Sequence, residues 1–184
     1  MRDYDVTFSP IRLEDVQAVS DMSRRIWQQH YLPDILTESE LEYFWQRAYA
    51  PARLQAHMDS GVCYEWINAG ASRVGFLAYG SEPAEHRLHL SKLYLEPAFH
   101  GCGIGSRALR RVQQHGYEEG LKEVTLYVFR GNDKAIRAYA RAGFSVERTE
   151  MTECGKGYRY DDYVMIYQIP SREGQETSGR PGPP

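Results

Sequence analysis

A glycine-rich loop at the start of a predicted helix is the part of the sequence best suited to chemistry. The apolar segment from Leu88 to Leu95 is followed by Gly101, Gly103 and Gly105, which leave the backbone uncovered where the helix begins. Backbone N–H groups in such a loop can converge on an anion, and the positive end of the helix dipole strengthens the attraction. The spacing therefore predicts a site for a pyrophosphate group.

Two familiar phosphate-binding loops fit this segment poorly. A P-loop needs Lys and then Ser or Thr after its last glycine, whereas Ser106-Arg107 follows Gly105 here. The run 103–108 satisfies a loose dinucleotide fingerprint, but residues 96–100 separate its first glycine from the preceding strand. The acidic ribose ligand expected about 20 residues further on is also missing, because the next strand ends at 128–130 as Val-Phe-Arg.

The loop resembles the acetyl-coenzyme A loop of the GNAT superfamily of N-acetyltransferases. In that pattern a strand and a proline precede Arg or Gln, two residues, Gly, one residue and then Gly or Ala. The chain has Pro97 in place and then reads His100-Gly101-Cys102-Gly103-Ile104-Gly105. His100 departs from the usual Arg or Gln, which affects one side-chain contact, whereas the backbone amides are retained.

A second block, Thr125 to Phe144, is similar to the strand, Asn, helix and Tyr-x-x-x-Gly-Phe ending of the same superfamily. The matching positions are Asn132, Ala135, Tyr139, Gly143 and Phe144. The two blocks occur in the expected order, and the resemblance covers roughly Phe8 to Ile169.

The resemblance implies an α+β fold, with a mixed, mostly antiparallel twisted sheet of about six to seven strands flanked by helices in a single domain at 1–169. It implies acetyl-CoA as cosubstrate, a small amine as the acetyl acceptor and no metal, and it leaves a homodimer as one possible assembly. The residues it places at the cofactor are Leu93, Tyr94, Leu95, His100, Gly101, Cys102, Gly103, Ile104, Gly105, Ser106, Asn132, Lys134 and Tyr139.

Tyr139 is the side chain that the resemblance assigns to proton donation. A thiol has a pKa near 8.5 and a phenol one near 10, so a tyrosine can supply the proton that departing coenzyme A needs at neutral pH. The alternative is a core tyrosine, because Ala135, Ile136 and Ala142 lie at helical packing distance from it.

In the strand before the loop, the apolar side chains switch from one face of the strand to the other. Leu88 and Leu90 alternate on one face and Leu93 and Leu95 on the other, which indicates a bulge near Ser91-Lys92 or a strand buried on both faces. In the superfamily such a bulge frees a backbone N–H for the thioester carbonyl, and this role falls on Leu93. A fixed donor of this kind stabilises an oxyanion by about 3 kcal/mol.

The group that accepts the proton from the attacking amine is left open between three candidates. His89 has a suitable intrinsic pKa, although a lone histidine in a strand is more often structural. Glu65 on a neighbouring predicted strand and ordered water are the others.

In the superfamily that the chain resembles, the first two helices and the segment before the last strand frame the acceptor site, so the resemblance implies an acceptor site there. Aromatic rings and carboxylates in these segments suit a cationic amine. They are Trp27, Tyr31, Tyr43, Trp45, Tyr158, Tyr160, Asp161 and Asp162. The stretch from Gly155 to Met165 resembles the bacterial polyamine acetyltransferases of the PaiA type, so a polyamine is the first expectation. An antibiotic, an amino acid or a peptide N-terminus remains an alternative acceptor, and an acetyl-CoA sensor without turnover is an alternative function.

Periodicity and breaker residues place the remaining elements. Predicted strands are Val6 to Ile11, Val62 to Ile67, Arg73 to Tyr79, Leu88 to Leu95, Glu123 to Phe129, Phe144 to Glu150 and Tyr163 to Ile169. Predicted helices run from Leu13 to Tyr31, from a Thr37–Glu40 capping box, after Pro51, from the glycine loop to about Glu119 and from Asp133 to Arg141. Asn68-Ala69-Gly70 is predicted to close a hairpin.

Composition favours one cytoplasmic domain. The 184 residues are 42% hydrophobic and carry a net charge of −3, which argues against general nucleic-acid binding. No apolar run is long enough for a membrane span, and the first residues do not form a signal peptide. Three widely spaced cysteines fit a reducing compartment without a structural metal. The segment 170–184 is rich in Gly, Pro and Ser and is predicted to be disordered.

Overall fold

The described part of the chain forms a seven-stranded sheet with helices on both faces. The computed structural model describes residues 4–33, 36–155 and 157–171. The strands are β1 (Val6–Pro10), β2 (Cys63–Ala69), β3 (Ser72–Glu82), β4 (Arg87–Leu95), β5 (Glu123–Phe129), β6 (Ser145–Gly155) and β7 (Tyr158–Gln168). The helices are α1 (Val16–Tyr31), α2 (Glu38–Tyr49), α3 (Pro51–Asp59), α4 (Ile104–Glu118) and α5 (Asp133–Arg141).

The sheet is mixed and mostly antiparallel. Its strand order is β1-β2-β3-β4-β5-β7-β6. Strands β4 and β5 are parallel because α4 connects them, and the other neighbouring strands are antiparallel. The predicted α+β fold class is therefore confirmed.

Two apolar layers cover the two faces of the sheet. Helices α1, α2 and α3 pack on the face that carries Trp66 and Phe76. Helix α4 packs on the opposite face through Ile104 and Val112, against side chains that include Leu88. Because each helix buries one apolar stripe against a pleated surface, the sheet is held rigidly in the middle of the molecule.

A bulge interrupts β4 at the predicted place. Ala78 of β3 pairs with Lys92, but the next residue, Tyr79, pairs with Leu90, so Ser91 has no partner in the β3–β4 register. The Ser91 hydroxyl donates a 3.1 Å hydrogen bond to the Ala78 carbonyl and so fixes the extra residue. The bulge explains the change of apolar phase and replaces the alternative of a regular strand buried on both faces.

Strands β4 and β5 separate just beyond the bulge. Their parallel register runs from Arg87 and Glu123 to Leu90 and Leu126. Strand β5 then continues to Phe129 while paired with β7, so a cleft opens between the last residues of β4 and of β5. This cleft lies beside the N-terminal end of α4.

Several predicted boundaries differ from the observed ones. Asn68 and Ala69 belong to β2, because the hairpin turn is a tight one at Gly70, whose φ is +59°. Helix α1 begins at Val16, after a short 3₁₀ turn at Leu13–Asp15. The Thr37–Glu40 capping box is confirmed by bonds of 2.8 and 3.3 Å.

The last hairpin extends further than the sequence indicated. Strand β6 continues to Gly155 and β7 already begins at Tyr158, in a stretch whose residues are largely exposed. Tyr158 and Tyr160 hold this outer part on the core, each with its ring centroid 5.3 Å from that of Phe44 of α2. Backbone pairing and charged cross-strand contacts such as Arg159 with Glu153 (3.5 Å) hold the remaining, exposed residues.

The predicted disordered tail lies almost wholly outside the described residues, which end at Ser171. None of the helices in the three described ranges combines the length and the apolar character needed to span a lipid bilayer. The same ranges contain no group of three or more His, Cys, Asp or Glu residues arranged to hold a metal ion.

Candidate active site

The glycine loop forms the first wall of the candidate site. Gly101 and Gly103 have φ angles of +77° and +78°, which other residues rarely adopt, and Gly103 is the N-cap of α4. The first bond within the helix is donated by Arg107 N to Gly103 O. The N–H groups that precede Arg107 in the first turn of α4, including that of Ser106, therefore have no acceptor within the helix. They are free to bind an anion.

The backbone of β4 supplies the second wall. Glu96 N donates a 2.9 Å hydrogen bond to Val74 O, which fixes the alternation of bonded pairs between β3 and β4. Leu93 and Leu95 are at the intervening positions, so their N–H and C=O groups point away from β3 and into the cleft. Tyr94 turns its own backbone toward β3, and its ring stacks on Phe76 in the core with 5.4 Å between ring centroids.

His100 bridges the two walls. Its Nε2 donates a 3.0 Å hydrogen bond to Leu95 O, and Lys134 Nζ donates to its Nδ1 at 2.8 Å. Partial burial lowers the pKa of His100, the Leu95 carbonyl opposes this and Lys134 adds to it. The ring is thus a neutral hydrogen-bonding group at the mouth of the cleft.

A cavity of about 270 Å³ lies at this mouth. It is lined by the end of α1, the end of β5 and the start of α5: His30, Tyr31, Phe129, Gly131, Asn132, Asp133, Lys134 and Arg137. Lys134 and Arg137 give it a positive rim suited to phosphate groups. Asn132 uses its side-chain oxygen to cap α5, accepting a 3.1 Å bond from Ala135 N, so its immediate role is to position this helix.

Three other residues predicted at the cofactor lie in the glycine loop and at the start of α4. Cys102 is half-buried, and its Sγ lies 3.7 Å from the carbonyl of His100. Ile104 is 1% exposed and anchors the loop in the core, which leaves its amide as the group near the anion site. At Gly105 a Cβ would meet a Leu95 methyl at 3.6 Å, an ordinary contact.

Tyr139 projects from α5 toward the same interior. Its partly buried ring packs edge-on against Phe144, with 5.9 Å between ring centroids. Burial raises the pKa of Tyr139, and the neighbouring hydroxyl of Tyr94 raises it further. The phenol is therefore protonated throughout the physiological range, as a proton donor must be.

The predicted acceptor aromatics divide into two groups. Trp45 is buried and donates to Ser23 Oγ at 3.0 Å, and Tyr43 donates to Cys154 O at 2.7 Å, so both are tied into the core. Trp27 and Tyr31 pack together near the cleft, with ring centroids 4.9 Å apart. Tyr49, which the sequence did not single out, donates a 2.6 Å hydrogen bond to the hydroxyl of Tyr94.

The two predicted carboxylates also differ. Asp161 is partly exposed, and its two carboxylate oxygens accept hydrogen bonds of 3.1 and 3.2 Å from Arg130. This ion pair gives Asp161 a structural role that requires no bound ligand. Burial raises the pKa of Asp162 to about 6, with smaller contributions from Asp161 and Glu150. Asp162 also interacts electrostatically with Tyr31 and Tyr160, so it belongs to the interior of the site.

Of the candidate proton acceptors, Glu65 is engaged elsewhere, whereas His89 and ordered water stay candidates. Glu65 lies on the α4 face of the sheet, where Arg111 holds both of its oxygens at 2.7 and 3.2 Å. His89 Nδ1 lies 3.1 Å from Thr125 Oγ1 on the other face. Burial is the main cause of a lowered pKa of His89, and the imidazole is neutral at pH 7.

Lys92 is a site residue that the sequence analysis missed. Its ammonium lies 4.5 Å from the centre of the Tyr49 ring, and burial lowers the pKa of Lys92 to about 8. No carboxylate of the described residues forms an ion pair with it. The only signal in the sequence was a lysine inside an otherwise apolar strand, directly after the bulge.

A mixed sheet that opens after a bulge, beside a helix that begins in a glycine loop, is the architecture expected of a coenzyme A-dependent acyltransferase. Residues 22–144 match the family described as the acetyltransferase (GNAT) family, and the chain belongs to this family.

Curated proteins similar to the chain are named as acetyltransferases. The chain is 24% identical over 147 residues to the spermidine N(1)-acetyltransferase of Thermoplasma acidophilum, covering 76% of this chain and 88% of the relative. It is 34% identical over 82 residues to an uncharacterized N-acetyltransferase of Mycobacterium tuberculosis, covering 45% of this chain. The match spans only about half of that relative's length (52%).

Solved structures show the same fold. The PaiA N-acetyltransferase of Thermoplasma acidophilum in complex with coenzyme A superposes with a TM-score of 0.73 at 22% identity, over 89% of this chain and 99% of that one. The ribosomal-protein-S18-alanine N-acetyltransferase of Escherichia coli superposes with a TM-score of 0.67 at 17% identity, over 93% and 97%.

Proposed function

We propose that the chain transfers an acetyl group from acetyl-CoA to a primary amine of a small cationic acceptor, with a polyamine as the first expectation. The observation that carries the proposal is the cleft after the β4 bulge, where the backbone of Leu93 and Leu95 faces an anion-binding helix terminus. A pantetheine arm in this cleft would pair with β4 as an added strand, while the pyrophosphate would occupy the glycine loop.

The backbone of β4 places the thioester. Leu95 would bind the pantetheine arm, which requires His100 to release the Leu95 carbonyl or the arm to use the Leu95 N–H. The N–H of Leu93 would donate to the acetyl oxygen and stabilise the negative charge that develops when the amine attacks the carbonyl carbon. The C–N bond then forms and the C–S bond breaks.

Two protons move in this reaction. Tyr139 would protonate the sulfur of coenzyme A as it leaves, because its phenol stays protonated inside the site. The amine must lose a proton before it attacks, and His89 or ordered water would take that proton. Lys134, at the positive rim, would pair with a phosphate of the nucleotide end.

The interior beyond the cleft supports a cationic acceptor. Asp162 supplies a half-buried carboxylate, and Trp27 and Tyr31 supply ring faces that attract ammonium groups. Relatives named for spermidine acetylation support the same class, including the spermine/spermidine N(1)-acetyltransferase of Bacillus subtilis, which is 31% identical over 86 residues, 46% of this chain and 57% of the relative.

We further propose a cytoplasmic location, because the cysteines at 63, 102 and 154 are all free. The homodimer stays a prediction.

The test has two stages. Thermal stabilisation is first measured with acetyl-CoA, NAD and ATP, and acetyl-CoA is expected to raise the melting temperature most. Release of free thiol is then measured with spermidine, spermine, an amino acid, an aminoglycoside and a short peptide, and the polyamines are expected to react fastest. Stabilisation by NAD alone would refute the proposal. Stabilisation by acetyl-CoA without thiol release from any amine would favour a sensor.

A further inference from the structure

Lys92 is a lysine in an unusual environment. It follows the unpaired bulge residue Ser91, and its side chain lies on the face covered by α1, α2 and α3. The ammonium lies 4.5 Å from the centre of the Tyr49 ring, and Tyr49 in turn is bonded to Tyr94. Lys92 is half-buried, and among the residues that the structure describes no carboxylate forms an ion pair with it.

Such an environment favours the neutral amine. The Tyr49 ring face attracts the ammonium, but removing that ammonium from water without an anionic partner disfavours its charged form, and burial lowers the pKa of Lys92 to about 8. A lysine is nucleophilic only when it is unprotonated, and desolvation in an apolar pocket is a common way to achieve this. Lys92 therefore has the chemical character of an acetyl acceptor.

Lys92 is also close to the expected donor. It adjoins Leu93, whose N–H faces the cleft, and consecutive Cα atoms lie about 3.8 Å apart. The flexible four-carbon stem of a lysine allows its nitrogen to move between the Tyr49 ring and the cleft. Proximity of this kind raises the rate of an otherwise slow reaction without any further catalytic group.

We propose that Lys92 is a modification site, acetylated by the acetyl-CoA bound in the chain's own cleft. The inference rests on the proposed function, because that function supplies the donor. The neutral Nζ attacks the thioester carbonyl, so that a C–N bond forms and the C–S bond breaks. Coenzyme A leaves as the thiol and carries the proton that the amine has lost.

The product suits the site better than the free lysine does. An acetyl-lysine side chain is neutral, so its burial no longer carries the desolvation cost of a charge. The same step removes a positive charge from the face on which a cationic acceptor would enter. Self-acetylation would thus prepare the acceptor side for a polyamine.

The test is a tryptic peptide map of the intact protein after incubation with acetyl-CoA and no amine. Acetylation blocks cleavage after Lys92, so residues 88–107 appear as one peptide that carries one acetyl group. Exposed Lys122 is the control for spontaneous acetylation. Lys92 is expected to react at least about tenfold faster, to saturate with acetyl-CoA concentration and to be protected by excess coenzyme A.

A Gly103→Val variant serves as a second control, because its impaired donor site should slow Lys92 and leave Lys122 unchanged. If acetyl-CoA binds and amines are turned over while Lys92 reacts no faster than Lys122, the self-acetylation proposal is wrong and the proposed function stands. If acetyl-CoA does not bind in calorimetry, the proposed function fails and self-acetylation fails with it.

Discussion

Arg111 of α4 holds both carboxylate oxygens of Glu65 of β2, through Nε at 3.2 Å and Nη2 at 2.7 Å. The Glu65 side chain is only 7% exposed, whereas Arg111 is 37% exposed. The pair therefore ties α4 to the sheet from the side opposite to the α1–α3 face.

Arg111→Met is expected to lower the free energy of unfolding by about 1–3 kcal/mol, because it leaves a nearly buried carboxylate unpaired. Urea denaturation measures this change, and the double variant Glu65→Gln/Arg111→Met should recover part of the loss. Turnover per folded molecule should be unchanged in both. A Glu65→Gln variant that loses turnover without losing stability would return Glu65 to the mechanism.

Tyr139→Phe is expected to lower kcat by about 10- to 10⁴-fold, because the departing thiolate loses its proton donor. Affinity for acetyl-CoA should change little, since the ring still packs against Phe144. The loss should shrink at high pH, where the thiolate can leave without a proton. Tyr167→Phe is the matched control, because Tyr167 also packs against Phe144, at 5.7 Å. Equal pH–rate profiles for Tyr139→Phe and the unmodified protein would exclude Tyr139 as the acid.

Gly103→Val is expected to weaken acetyl-CoA binding strongly, because Gly103 caps α4 at a φ of +78° that valine rarely adopts. Calorimetry should show the loss, whereas Cys102→Ala in the same loop should bind almost normally. Gly105→Ala should also fold, because its Cβ has room beside Leu95. Undiminished affinity in Gly103→Val and in Gly105→Val would refute the pyrophosphate assignment.

The free energy of unfolding is expected to fall as the pH drops from 7.5 to 5.5. Burial is the main cause of lowered pKa values at His30, His57, His89 and His100, so the unfolded chain binds protons more readily below pH 6.5. Asp162 opposes this trend, because its pKa is raised to about 6 and the cost of its ionisation disappears on acidification. Urea denaturation at both pH values tests the sign, and His89→Gln should flatten the slope. A stability that rises on acidification would contradict the prediction.

The parts of the fold that sequence could predict are those with local signals. The change of apolar phase between Leu90 and Leu93 indicated the bulge, and the alternating glycines indicated the start of α4. The Thr37–Glu40 box gave the start of α2. Each of these depends on residues within a few positions of one another, so a single chain segment carries the information.

The parts that sequence could not predict depend on partners far away along the chain. Glu65 was a candidate base because it lies on a strand near β4, but its partner Arg111 is 46 positions away on α4, which packs on the face of the sheet opposite to α1–α3. Lys92 acquired its environment from Tyr49 of α2, which only tertiary packing brings to β4. Neither of these two side-chain contacts produces a periodic pattern in the sequence.

The short pairing between β4 and β5 is the seam that joins the two halves of the sheet. Between the two halves of the sheet, β1 to β4 and β5 to β6, the described chain has direct backbone pairing only along His86–Leu90. Without a cosubstrate, we expect amide hydrogens in the two halves to exchange with solvent as separate cooperative units. A pantetheine arm bound along Leu93 and Leu95 would extend the short seam, and slower exchange should then spread into β7, a strand remote from the glycine loop.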